Sequence, residues 1–167
     1  MDGSYAETSV KKKQSPLNMV IKVAMVTFTA IMLLIGTSLF GVFAMIFSGI
    51  LIVACIIVFP YLKVEYEYVY CDGQLDFDKI YSGNKRKTAL RIDFENVEMM
   101  APVNSHSLDS YNHQQVKVAD YTSGYPDTKV YAIILRKGEL LTKILCEPSE
   151  KMLSMIKQKA MRKFSEY

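Results

Sequence analysis

Residues 17–62 read LNMVIKVAMVTFTAIMLLIGTSLFGVFAMIFSGILIVACIIVFPYL, and their only formal charge is Lys22. A bilayer core about 30 Å thick takes about 20 helical residues to cross. The block is therefore long enough for two crossings and too long for one. The stretch Gly36-Thr37-Ser38-Leu39-Phe40-Gly41 divides it, because two glycines and two hydroxyl residues lower helix propensity and permit a reversal. Spans are predicted at 17–35 and 42–60, with Pro60 near the far interface and Tyr61 and Lys63 as interfacial anchors.

Working outward, the chain divides into a basic N-terminal tail (1–16), a two-helix transmembrane anchor (17–62) and a cytosolic β-rich domain with a C-terminal helix (63–167). A cleaved signal peptide would have a short apolar core followed by a small-residue site, and this core runs on far past that length. The run Ile52-Val53-Ala54-Cys55 loosely resembles a lipoprotein cleavage box, but apolar residues continue beyond it. Lys11, Lys12 and Lys13 precede the first span and Lys63 follows the second, whereas the connection between the spans is uncharged. Positive flanks stay inside, so the expectation is a multi-pass protein of the inner cell membrane with both termini cytosolic.

From Lys63 onward the chain holds sixteen basic and fifteen acidic residues, a balance that argues against nucleic acid as a partner. Cys55, Cys71 and Cys146 form no CxxC or Cys/His spacing, which fits a reducing compartment with the thiols packed as small residues.

The second half alternates. Lys63 to Cys71 is rich in tyrosine and valine, as a strand with one buried face should be, and Asp72-Gly73 is a type I′ hairpin turn. In the returning strand, Gln74 to Tyr81, Leu75 and Phe77 share one face with Lys79 while Asp76 and Asp78 share the other. Ser82-Gly83-Asn84 turns through Lys85-Arg86-Lys87 into a third strand, Thr88 to Phe94, and Asn96 to Ala101 is a short fourth. Val103 to Gly124 reads as an exposed connection with a strand at Gln115 to Asp120. Thr128 to Arg136 and Leu140 to Cys146 form a second hairpin around Lys137-Gly138-Glu139. Leu153, Ile156, Ala160 and Phe164 then recur at helical spacing, with Met152 on the same face and Ser149 as the cap. The fold class is α+β: a two-helix transmembrane hairpin, then a small antiparallel β domain, either a pleckstrin-homology-like (PH-like) barrel or an open sheet, with a C-terminal amphipathic helix.

Val64-Glu65-Tyr66-Glu67-Tyr68, Asp72 to Ile80, Leu108-Asp109-Ser110-Tyr111 and Glu147 to Leu153 together resemble an uncharacterised family of small two-span membrane proteins of Gram-positive anaerobes. The element order is also similar to bacterial membrane-anchored PH-like domains. The resemblance implies architecture and carries no activity.

Catalytic motifs are not found: the chain has no P-loop, dinucleotide fingerprint, nucleophile elbow or zinc helix, and no cofactor is expected. His106 and His113 lie in a segment without helical pattern and read as surface residues, and Asp72, Asp76 and Asp78 read as solvated strand charges. The candidate lipid-binding residues are Lys85, Arg86 and Lys87 beside a turn and Lys11, Lys12 and Lys13 at the bilayer surface. The expected function is a membrane-anchored, non-catalytic interaction or scaffold module. Its partner would be another protein or a second copy, met by strand edges and a tyrosine-rich face at Tyr66 to Tyr70. The alternatives are a sensor of anionic lipid headgroups at the bilayer and an accessory subunit of a membrane enzyme or transporter.

Overall fold

The computed structural model describes residues 5–81, 85–112 and 114–165. They form two compact units, one of residues 13–64 and the other of residues 1–12 together with 65–167. The second unit is thus assembled from both sides of the apolar block.

In the apolar unit, Ser15 caps a helix that begins at Pro16, its Oγ accepting from the amide of Leu17 at 3.3 Å. This helix continues to Phe40 through a π-helical turn at Met32–Gly36, and the second runs over Val42–Tyr61. Both are long and apolar enough to cross a bilayer. The expected break over residues 36–41 narrows to one residue, Gly41, whose φ of 58° lies where a side chain is disfavoured. Gly36 belongs to the helix, and a Cβ there would stand 3.3 Å from that of Ala44. Ala44 and Ser48 are the buried residues of the second helix, so small side chains let the pair approach near the turn. At the open end, the Asn18 side-chain amide donates to the Leu62 carbonyl at 3.4 Å. Thr29, Thr37 and Ser48 each donate to a carbonyl of their own helix, so these hydroxyls are satisfied within the helices.

The β unit contains two four-stranded sheets. Strands β1 (Tyr5–Lys11), β2 (Val64–Cys71), β3 (Gln74–Tyr81) and β4 (Lys85–Asp93) lie in that order in the first. The second contains β5 (Val97–Pro102), β6 (Val116–Asp120), β7 (Tyr131–Lys137) and β8 (Leu140–Cys146), ordered β5-β7-β8-β6. Among the described residues no strand pairing joins the two sheets, so the domain is a pair of sheets and not a closed barrel.

Strand β1 corrects the expected N-terminal tail. It pairs antiparallel with β2 from Tyr5 opposite Cys71 to Lys11 opposite Glu65. Its inward residues, Ala6, Thr8 and Val10, are small or polar, and only Ala6 is fully buried. Thr8 meets Ser149, the N-cap of the C-terminal helix, with 2.8 Å between hydroxyl oxygens. The strand therefore closes a sheet edge and fixes the start of the helix over Glu150–Ala160, whose Met152, Leu153 and Ile156 are buried.

Asp72 and Gly73 both have positive φ, as a type I′ turn requires. The turn expected at 82–84 lies outside the described residues. Lys85, Arg86 and Lys87 belong to β4 itself, because pairing with β3 extends to Tyr81 opposite Lys85. A register shift between Phe77 and Asp78 interrupts this ladder.

Two expectations for the second sheet change. Strand β6 runs parallel to β8, so the sheet is mixed. Because β8 lies between β6 and β7, residues 121–130 have to pass the end of β8. Glu147, one residue beyond that strand, receives Ser123 N at 2.8 Å, Ser123 Oγ at 2.9 Å and Thr128 Oγ1 at 3.1 Å and so holds the crossing in place. The exposed connection expected after Val103 is in part a cover. Short helical turns at His106–Leu108 and Asp109–Asn112 lay Leu108 and Tyr111 on Ala101, Ala132, Ile134 and Leu141 of the second sheet. Leu108 and Tyr111 of the Leu108-Asp109-Ser110-Tyr111 run thus belong to a hydrophobic cluster on this sheet.

The register of β1 and β2 predicts that Asn-Gly in place of residues 13–63 will close a direct hairpin and leave a soluble, cooperatively melting domain. Residues 65–167 alone, lacking β1, should melt well below it or stay unfolded. Thermal melts followed by circular dichroism compare the two.

Candidate functional site

In the antiparallel first sheet, the C-terminal ends of β1 and β3 lie beside the N-terminal ends of β2 and β4. This is the end from which the chain departs after Lys12 and to which it returns at Glu65. It gathers Lys11, Lys12, Lys79, Lys85, Arg86 and Lys87. Five of the six residues predicted to bind lipid thus share one sheet end, with Lys79 added. Lys13 belongs to the apolar unit.

The two faces of this end differ. On the inner face, Tyr66 is 3% exposed and sits edge-on to Tyr121, with ring centroids 5.5 Å apart, while Tyr121 stacks on Phe77 at 4.8 Å. Lys12 donates to the Tyr66 hydroxyl at 3.1 Å, its ammonium 5.5 Å from the ring centre. Lys79 lies 5.9 Å from the Tyr66 ring and 5.7 Å from that of Tyr121. Ammonium groups over ring faces gain about 0.5–1 kcal/mol when exposed, enough to orient them while a charge remains for another ligand. Lys87 stands opposite Lys79 in register and therefore on the same face.

On the outer face, Arg86 reaches across the sheet. Its Nη2 hydrogen-bonds Glu67 on β2, and its Nε lies 3.6 Å from Asp78 Oδ2 on β3. Glu67 and Asp78 are 6% and 5% exposed, and among the described residues the buried Asp78 Oδ1 has no hydrogen-bond partner. The expectation that Asp78 is a solvated strand charge is therefore corrected. A half-exposed arginine covers two buried carboxylates. Glu65 pairs with Lys11 at 3.9 Å, and farther along Asp76 takes Arg91 through two bonds of 2.7 and 2.6 Å.

The tyrosine-rich face offered as a partner surface is interior. Tyr66, Tyr68 and Tyr70 are all buried, and Tyr68 donates its hydroxyl to the Tyr121 carbonyl. Burial pushes the Tyr68 hydroxyl far above its ordinary range, and those of Tyr70 and Tyr121 upward. Burial likewise pushes the Cys146 thiol well up, whereas Cys71 is exposed at the end of β2.

At the opposite end of the first sheet, an open groove of about 940 Å³ lies between Cys71–Gln74, Asp93–Glu95 and Gln158–Lys163. Its charges are largely matched: Lys159 pairs with Asp72 and lowers that carboxyl's pKa, and Lys163 donates to the carbonyls of Phe94 and Glu95 at 2.7 Å each. His106 is exposed and 3.2 Å from Asp109, and His113 lies outside the described residues. Among the described residues, no three His, Cys, Asp or Glu side chains converge as a metal site would require.

Lys79 is the functional candidate that charge clustering alone passes over. Its signal was a lysine on the apolar face of an alternating strand, where burial needs a reason.

Two sheets with a C-terminal helix, and an apolar helical pair between the first two strands, define an α+β protein. The chain belongs to the bacterial PH-like domain family DUF6106, whose model matches residues 2–166. The family match therefore begins at the N-terminal strand and includes the apolar helices, where a domain starting after the second helix was expected. No curated protein and no solved structure matches the chain.

Tyr68 supplies a pH prediction. Because folding raises its pKa above the unfolded value of about 10, its contribution to stability is complete below pH 10 and is lost as pH rises toward the folded value. Tyr68→Phe should cost about 1–2 kcal/mol at pH 7 through the lost hydrogen bond. It should also flatten the fall in stability above pH 10, as measured by urea unfolding at pH 7 to 11.

Proposed function

We propose that the protein is a two-span, membrane-anchored, non-catalytic module whose basic sheet end holds anionic lipid headgroups at the inner surface of the bacterial cell membrane. One observation carries this reading: Lys12, Lys79 and Lys87 share the inner face of the sheet end that leads into the apolar helices, while the neighbouring carboxylates are taken by Lys11 and Arg86. Among the described residues Lys12, Lys79 and Lys87 have no ion-pair partner, which leaves their charge for an anionic ligand.

The two-span topology draws support from β1 and β2. Strands that pair at Lys11 and Glu65 have to lie on one side of a membrane, so the helices between them cross as a pair or not at all. The positive flanks then favour the cytosolic side.

A protein partner fits less well. The tyrosine face intended for it is buried, and edge strand β4 carries Lys85, Arg86, Lys87 and Arg91, charges that discourage edge-to-edge pairing.

In bilayers containing spin-labelled lipids, the full-length protein should associate with phosphatidylglycerol several-fold more than with phosphatidylcholine. Each lysine near the surface contributes about 1 kcal/mol, or roughly fivefold at most. Lys12→Gln/Lys79→Gln/Lys87→Gln should bring the ratio close to one, as should 1 M salt, where the screening length is about 3 Å. A ratio of one in the unaltered protein at low salt would refute headgroup binding.

A further inference from the structure

We propose that Arg86 is a positioning residue, not a headgroup ligand. It clamps edge strand β4 across β3 to β2 through Asp78 and Glu67, and so holds Lys87 beside Lys79 on the opposite face. The inference rests on the headgroup reading above and assigns separate tasks to residues adjacent in sequence.

Alternation puts Lys87 on the inner face with Lys79, and Arg86, opposite Ile80 in register, on the outer face with Glu67 and Asp78. Those two carboxylates come from adjacent strands and have almost no exposure of their own. A carboxylate withdrawn from water needs a charged or hydrogen-bonding partner, and among the described residues Arg86 is the one that reaches both side chains. The guanidinium is suited to this because its donors lie in a plane and serve two acceptors at once. A headgroup phosphate taking Arg86 would strand two buried carboxylates, one of which already has an oxygen without a partner among the described residues. Arg86 is therefore held by the protein.

The clamp also has a mechanical role. Strand β4 is an edge strand, and its ladder with β3 is interrupted at Phe77 and Asp78. Its first residues lie beyond that interruption and are secured by the rungs from Thr88 to Lys85 and by the Arg86 side chain. Release of Arg86 would let this short segment fray, carrying Lys87 away from Lys79.

The test follows two readouts in the full-length protein in bilayers: hydrogen exchange of the amides of residues 85–88, and the phosphatidylglycerol-to-phosphatidylcholine association ratio. Arg86→Gln is expected to speed exchange in that segment at least tenfold and to lower the ratio at least twofold. Lys79→Gln/Lys87→Gln is expected to lower the ratio while exchange stays unchanged. If Arg86→Gln lowers the ratio without altering exchange, Arg86 is itself a ligand and the inference falls. It falls equally if exchange is unchanged and the ratio holds, or if the segment frays and the ratio holds. If instead the double lysine variant keeps the full ratio, headgroup binding at this face fails, and the exchange result still shows whether Arg86 is a clamp.

Discussion

The pairing of Tyr5–Lys11 with Val64–Cys71 is the constraint on which the rest of the structure depends. It joins segments made before and after the apolar helices, so the PH-like unit is complete only when the chain has passed through the insertion and returned. Closing a long connection costs conformational entropy, and two packed helices with the Asn18–Leu62 bond across their open end offset part of it. The same strand supplies Thr8 to Ser149 and thereby sets the start of the C-terminal helix. A short polar strand thus links the sheet, the helix and the insertion.

That arrangement also decides where charge goes. Because the connection leaves one end of an antiparallel sheet, the termini of four strands meet there, and basic residues far apart in sequence come together. Strand alternation then sorts them. The inner face carries lysines over tyrosine rings, while the outer face spends an arginine on two buried carboxylates. Lys85, Arg86 and Lys87 look like one basic cluster in sequence, yet the pleat assigns Arg86 and Lys87 to opposite faces.

Much of the fold was legible because its signals are local. The apolar block, the Asp72-Gly73 hairpin, the β7–β8 hairpin and the Ser149 cap each depend on short-range pattern, and each appears. Strand β1 was hidden because Ala6, Thr8 and Val10 make a weak apolar stripe and Lys11, at its end, belongs to a lysine run that also suits a membrane flank. The parallel β6–β8 pair was hidden because strand order is a tertiary property, and an alternating pentapeptide says nothing of its neighbour's direction. Alternation puts Lys79 on the apolar face, but the rings it meets come from another strand and a distant loop. Asp78 reads as a solvated strand charge because the arginine it shares with Glu67 is brought to it by the fold.

The chain segments flanking the apolar helices build one sheet, and the proposed anchoring then requires both to lie on one side of the membrane. The direct measurement is cross-linking between Glu7→Cys and Val69→Cys, which replace directly opposed residues of β1 and β2, in a variant whose native cysteines are removed, within intact membranes. The account predicts an efficient intramolecular cross-link by a short bismaleimide, with both introduced thiols labelled by an impermeant reagent only in inside-out vesicles. Labelling of the two thiols from opposite sides, with no intramolecular cross-link, would contradict it.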